Sequence, residues 1–293
     1  MSQDPQAQPP GPPSPWLRYL QAGILPRLAV IILGVPCLFI ITLRGGAFFL
    51  LLVNLIIFLG LREFYQMLAT KGYRPYQMLG ITCGLAVSWY VYSGGVAISL
   101  VMTAILLSVM IRELFRRDMS HALTHIAVTV LGVLYVGWLG SHLVMLRELP
   151  AEVGVPDVVG ARLVFFVAAV TWAGDIAAYV IGIALGSHPL LPRISPKKTV
   201  EGAVGGLLGS VAAGLFCAWN FLPVLTPTHG ALLGLCGGIA GQLGDLVESL
   251  LKRDVGIKDS AGLIPGHGGV LDRFDSLLFS GPLLYYYFRF FVV

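Results

Sequence analysis

Apolar residues occur along this chain in long blocks separated by short polar stretches. A membrane-spanning helix needs about 20 mainly apolar residues. Nine blocks approach that length: residues 27–44, 46–61, 77–93, 95–111, 124–145, 161–186, 203–223, 230–251 and 275–292. The second and fourth are short. The pattern predicts an all-α polytopic membrane protein of about nine transmembrane helices, five of them within residues 16–160 and four within 161–293. Residues 1–15 are rich in Pro and Gln and poor in apolar side chains, which predicts a disordered tail. They lack the basic start and small-residue cleavage site of a signal peptide. Trp16 to Arg27 is mildly amphipathic, and either lies in the interface with Trp16 and Tyr19 as anchors or simply leads into the first block. No internal repeat is apparent, so an inverted-repeat transporter architecture gains no support.

Composition sharpens this picture. The chain has 293 residues, 56% apolar and 12% charged, whereas soluble domains carry about 25% charged residues. A soluble globule is excluded, and so is general disorder, which requires low hydrophobicity and high charge. Cys37, Cys83, Cys217 and Cys236 all fall inside apolar blocks with no metal-ligand spacing, and read as small core residues. Of the 19 Lys and Arg residues, four (Arg44, Arg147, Arg162 and Arg289) fall on one side of a nine-span topology and the other 15 on the opposite side. Basic residues gather on the cytoplasmic side of membrane proteins, so the N-terminus is expected in the cytoplasm and the C-terminus outside. The net charge of +4 is thereby explained topologically, and with no nucleic-acid-binding motif present, nucleic acid is not an expected partner.

Candidate chemistry is confined to the C-terminal half. Residues 175–275 hold Asp175, Glu201, Asp245, Glu248, Asp254, Asp259, Asp272 and Asp275, and the two charged loops, 187–202 and 252–274, emerge on the same, cytoplasmic face. Asp175 stands near the middle of its block, where an unpaired charge costs at least about 2.5 kcal/mol. It is either one half of a structural hydrogen bond, with Tyr179 one turn on, or part of a polar site wall. Asp245, Glu248 and Ser249 share one helical face, with Lys252 on the same stripe. The acids could hold a divalent metal, or Glu248 and Lys252 could form a helix-end ion pair that leaves Asp245 unexplained. The stretch SLLKRDVGIKDSAGLIPGHGGVLDRFD, residues 249–275, mixes cations, carboxylates and His267 with glycines whose backbone N–H groups could approach phosphate. Hard carboxylate oxygens suit Mg²⁺ together with substrate phosphates. The set therefore suggests phosphoryl or nucleotidyl transfer by metal and cation clamping. In RISPKKTVEG, residues 193–202, paired lysines beside hydroxyls fit a triphosphate or an anionic headgroup, or else a basic cluster drawn to anionic lipid. There is no P-loop, HExxH or strand-linked GxGxxG motif. His121, His125, His142, His188 and His229 form no ligand cluster and read as structural.

The run Ser249-x-x-Lys252-Arg253-(x4)-Lys258-Asp259 followed by Pro265-x-His267-Gly268-Gly269-x-x-Asp272-Arg273-x-Asp275 resembles the signature of the phosphatidate cytidylyltransferase (CDP-diacylglycerol synthase) family. Ser195-Pro196-Lys197-Lys198-Thr199-x-Glu201-Gly202 and Gly244-Asp245-Leu246-x-Glu248-Ser249 are similar to that family as well, and the resemblance is strongest over about residues 171–276. One departure is Gly186-Ser187-His188-Pro189, where family members often carry lysines. The resemblance implies Mg²⁺-dependent transfer of a cytidylyl group from CTP to phosphatidate, giving CDP-diacylglycerol and pyrophosphate, with room for a second metal ion. It implies Asp245, Lys252 and Asp272 as catalytic residues and Asp245, Asp272, Asp275 and Glu248 as metal ligands. Ser195, Lys197, Lys198, Thr199, Arg253, Lys258, His267 and Arg273 would bind substrate. Partners would be CTP, bilayer phosphatidate and membrane lipids, with a homodimer permitted by glycine-rich blocks such as 203–214. The compact length points to a bacterial inner membrane, with an organellar membrane as the alternative, and the site is expected to face the cytoplasm. Two rivals are a CTP-dependent polyprenol kinase, releasing CDP, and a transporter using Asp175, Asp245 and Glu248 as an ion path.

Overall fold

A computed structural model describes residues 32, 34–118, 120–257 and 269–292. Each of the nine apolar blocks contains a helix. These are α1 (Val35–Arg44), α2 (Gly46–Thr70), α3 (Gln77–Tyr92), α4 (Ile98–Leu114), α5 (Ala122–Gly132) running through a π-helical turn (Val133–Trp138) into α6 (Leu139–Val153), α7 (Val158–Leu185), α8 (Val200–Asn220), α9 (Pro227–Asp254) and α10 (Leu271–Phe291). Five rods are long and apolar enough to cross a membrane: α2, the continuous α5–α6, α7, α8 and α9. By contrast α3 and α4 have 16 and 17 residues, and α10 carries Asp272, Arg273, Asp275 and Arg289. The expected tail, residues 1–15, and the segment Trp16 to Arg27 lie outside the described residues.

The break between α1 and α2 has a local cause. Gly45 and Gly46 adopt φ of +64° and +56°, and a Cβ on Gly45 would collide with the guanidinium of Arg147. That guanidinium is 1% exposed. Its Nε donates to the Thr42 carbonyl at 2.8 Å and Nη2 to that of Leu43 at 3.3 Å, while both Nη atoms reach the Asp157 carboxylate at 2.8 Å. Carbonyls at the end of α1 that no helical N–H satisfies are thus taken up by one buried arginine. Arg147 was expected among loop charges; it is a clamp.

Two apolar cores share α6 and α10. Phe49, Phe64, Tyr65, Val136 and Leu143 pack with Leu271 and Leu278, and Leu146, Phe166, Val170 and Leu233 pack with Leu284 and Phe288. Opposite faces of α6 and α10 therefore join the N-terminal helices to α7–α9. Helices α8 and α9 approach closely at Gly214, Gly230 and Gly234, where a Cβ on any of the three would meet the facing backbone. The glycine-rich stretch 203–214 makes this contact within the chain.

The all-α expectation needs one amendment. Within the expected loop 187–202, strands β1 (Pro189–Leu191) and β2 (Ser195–Thr199) form an antiparallel hairpin, with Pro189 opposite Thr199 and Leu191 opposite Ser195. Pro196 biases Ser195 toward extended backbone. At the hairpin's base Glu201 accepts bonds from the Ser187 and His188 amides at 3.1 and 3.2 Å and contacts His188 Nδ1 at 2.6 Å. Thr199 then caps α8, its Oγ1 accepting from the Gly202 amide at 3.1 Å.

Candidate active site

The hairpin folds over the end of α9 and closes one side of a cavity of about 620 Å³. From β2 come Ser195, Lys197, Lys198 and Thr199, from α7 Asp175 and Tyr179, and from α9 Gln242 and Asp245. Helical periodicity brings Asp175 and Tyr179 to one face of α7, and Gln242 and Asp245 to one face of α9. Lys198 pairs with Asp245 across the cavity. Gln242 Nε2 donates to the Ala203 carbonyl at 2.9 Å, fixing α9 against α8 beside the cavity floor. Asp175 is a cavity wall residue, and among the described residues it makes no hydrogen bond to Tyr179.

Below the cavity wall the carboxylates crowd. Asp245, Glu248 and Asp275 each offer an oxygen within 4.8 Å of the others, and Glu248 and Asp275 are buried. The Glu248–Lys252 ion pair does form, at 2.5 Å, and Lys252 also reaches Asp272 at 2.8 Å. One ammonium thus bridges α9 and α10. The second Glu248 oxygen, Oε1, is buried and has no hydrogen-bond partner among the described residues. Three converging carboxylates, with one Glu248 oxygen left as an orphan acceptor among the described residues, suit a divalent cation with a preference for oxygen.

Asp272, expected as a metal ligand, stands outside this group. Its Oδ1 takes the Lys252 ammonium and its Oδ2 accepts from the Gly269 amide at 3.0 Å, at the start of α10. Arg253, expected on phosphate, donates from Nε to the Ile194 carbonyl at 3.1 Å and so fastens the hairpin turn to α9. Arg273 lies exposed on the first turn of α10. Lys258 and His267 lie outside the described residues.

Two residues escaped sequence reasoning. Glu63 of α2 is fully buried, and its carboxylate accepts from the Val270 amide at 2.9 Å and the Leu271 amide at 2.8 Å. It satisfies the free N–H groups at the start of α10 and favours them electrostatically. Its only signal was an acid at the end of an apolar block. Tyr135 lies on the π-helical turn, its ring edge-on to Phe64 and Phe279. Its hydroxyl is buried without a partner among the described residues. Short π-helical insertions recur at functional sites because they re-aim a side chain.

A sequence profile of the cytidylyltransferase family matches residues 25–291, nearly the whole chain. The chain belongs to the cytidylyltransferase family. Among curated relatives it is 37% identical over 285 residues to the phosphatidate cytidylyltransferase of Synechocystis, covering 89% of this chain and 95% of that protein. It is 37% identical over 192 residues to that of Bacillus subtilis, covering 65% and 66%, and 43% identical over 154 residues to that of Brucella suis, covering 53% and 54%. For a cytidylyltransferase the two halves of the site have a ready chemical reading: lysines and hydroxyls beside a cavity, with oxygen ligands at its edge.

Proposed function

We propose that this protein transfers the cytidylyl group of CTP to phosphatidate, forming CDP-diacylglycerol and releasing pyrophosphate. The observation that carries the proposal is the cavity whose walls set Lys197 and Lys198 opposite Asp245, itself one of three converging carboxylates. The reaction joins two polyanions, one arriving from the bilayer and one from water. Tyr179 and Ile183 of α7, exposed at the cavity margin, offer an apolar flank for a lipid-borne headgroup. Lys197, Lys198, Ser195 and Thr199 offer donors to phosphate oxygens. Lys198 exchanges its bond to Asp245 for substrate, so the ion pair holds the ammonium in place beforehand.

An oxygen of the phosphatidate phosphate attacks the α-phosphorus of CTP; that P–O bond forms as the α–β bridging bond breaks, and pyrophosphate leaves with the electron pair. Since the nucleophile is already anionic, no general base is required, and positioning and charge stabilisation dominate. Asp245, Glu248 and Asp275 would hold Mg²⁺, which when bound neutralises charge on the phosphates. Lys252 keeps Glu248 and Asp272 in register. Nine spans, a cytoplasmic N-terminus and a site facing the cytoplasm of a bacterial inner membrane complete the proposal; the basic-residue asymmetry and the bacterial relatives support it.

The test is made on purified protein in detergent with phosphatidate, Mg²⁺ and CTP labelled on its α-phosphate. Expected is label in a lipid with an equal amount of pyrophosphate, abolished by EDTA and restored by Mg²⁺. Label recovered in water-soluble CDP would assign kinase chemistry instead, and intact CTP would overturn the proposal.

A further inference from the structure

On the same face of the molecule as the proposed catalytic cavity, but in the N-terminal half, lies a second polar cavity of about 420 Å³. It opens where α2 ends and α5 begins, and its lining includes Lys71, Arg74, Ser120, His121, Thr124 and His125. Among the described residues the one acid on its wall is Asp118, whose Oδ1 is engaged within its own turn by the Ser120 amide at 2.9 Å and hydroxyl at 2.5 Å. The loop from α2 is held in place from outside: Arg116 donates from both Nη atoms to the Arg74 carbonyl at 3.4 and 3.5 Å, and Arg112 and Arg116 lie over the Tyr76 ring. His125 is buried and fixed by Glu113 at 3.2 Å. His121 carries a different mark, a φ of +63°, and is the one non-glycine residue with positive φ among the described residues. Histidine takes this left-handed conformation more readily than most side chains, and here it turns the chain into α5 beside the cavity.

Cations, the Thr124 hydroxyl and imidazoles on one wall, with the one carboxylate among its described lining residues turned to its own loop, are the chemistry of a phosphate site. On the basic side of a membrane protein the phosphate at hand is that of an anionic phospholipid, and basic pockets between helices on that side take such headgroups. From these features we infer that the cavity between the α2–α3 loop and the start of α5 binds the phosphate group of an anionic phospholipid headgroup. Lys71 gives the site a lever on catalysis, because its ammonium also pairs at 2.7 Å with Asp254, at the end of the helix that carries Asp245, Glu248 and Lys252. A headgroup that draws Lys71 away loosens a tie on the end of α9.

The full-length protein in neutral detergent is titrated with dioctanoyl phosphatidylglycerol, inorganic phosphate, or dioctanoyl phosphatidylcholine as the uncharged control, while thermal unfolding is followed. Phosphatidylglycerol at tenfold its dissociation constant should raise Tm by about 3 °C, with phosphatidylcholine giving no rise. Arg74→Gln should lose most of that rise, and Thr124→Val serves the same purpose if Arg74→Gln does not fold. A rise fully kept in both variants would place the anion elsewhere and overturn the inference, as would no rise in the wild type. An equal rise with inorganic phosphate would overturn the lipid assignment and leave a soluble-phosphate site. In phosphatidylcholine nanodiscs holding phosphatidate at one low, fixed mole fraction, added phosphatidylglycerol should change cytidylyl transfer about twofold or more in the wild type but not in Arg74→Gln; an equal response in both would overturn the lever. Absence of cytidylyl transfer altogether would count against the proposed reaction alone, since the Tm readout is independent of it.

Discussion

The two halves of the molecule treat buried charge in opposite ways. In the N-terminal half two buried charges are matched close to home: Arg147 with Asp157, and Glu113 with Tyr76 at 2.7 Å, His125 and Arg116. In the C-terminal half Asp245, Glu248 and Asp275 are pressed together with Lys252 and Lys198 as their described cations, and a Glu248 oxygen stays without a partner. Like charges at this spacing repel one another, and a cation held among them relieves that repulsion. Paired opposite charges build scaffold; crowded like charges mark a place for a cation.

Neutralising one carboxylate of the cluster tests this contrast most severely. Asp245→Asn, Glu248→Gln and Asp275→Asn should each lower Mg²⁺-dependent turnover by about 10³-fold or more, without lowering Tm, because a crowded charge is removed. A variant that loses Tm and keeps turnover would place that acid with the scaffold. The opposite outcome is expected for Glu63→Ala. Two backbone amides at the start of α10 lose a charged acceptor, which costs about 3 kcal/mol or more and should appear as a Tm several degrees lower, with Glu63→Gln recovering part of it. Tyr135→Phe sharpens the boundary. If its hydroxyl were merely buried without a partner, phenylalanine would be neutral or stabilising; we expect Tm unchanged and turnover about tenfold lower, measured at saturating and limiting Mg²⁺. The smallest effect concerns Asp157, whose carboxyl is held below its ordinary value of 3.8 by hydrogen bonds from Arg147. Its stabilising contribution is complete above about pH 4 and is lost as pH falls through the lowered folded value. Because the Asp157 side chain is 76% exposed, solvent screening keeps the effect below about 1 kcal/mol. Asp157→Asn should flatten the acid limb of a Tm-against-pH curve.

What could be read from the sequence was whatever repeats at short range. Apolar blocks located a helix in every predicted segment, and spacing within α9 put Asp245, Glu248 and Lys252 on one stripe. Ser195, Lys197, Lys198 and Thr199 do come to one cavity with Asp245. Long-range partners were hidden for a physical reason: helical periodicity says which face a residue takes, not what faces it. Of Asp272 and Asp275, one turn apart, the sequence favoured Asp272 as the metal ligand; the packing of α10 on α9 sends Asp272 to Lys252 and Asp275 to the carboxylate group. Arg253 looked like a phosphate ligand because nothing local announced the Ile194 carbonyl. The hairpin was read as a loop because three- and five-residue strands carry too few residues to show alternation.

The carboxylate of Glu63 meets its partners across 207 residues of chain. During synthesis at about 5–20 residues per second, those partners follow it by about 10–40 s. For that interval a negative charge destined for a dry interior has nothing to hold. The order of assembly is thereby constrained: α2 cannot reach its final environment until the last helix has been made, so the first and last parts of the chain mature together. A protein expressed as two fragments divided between α6 and α7 would then be recovered as a complex or not at all.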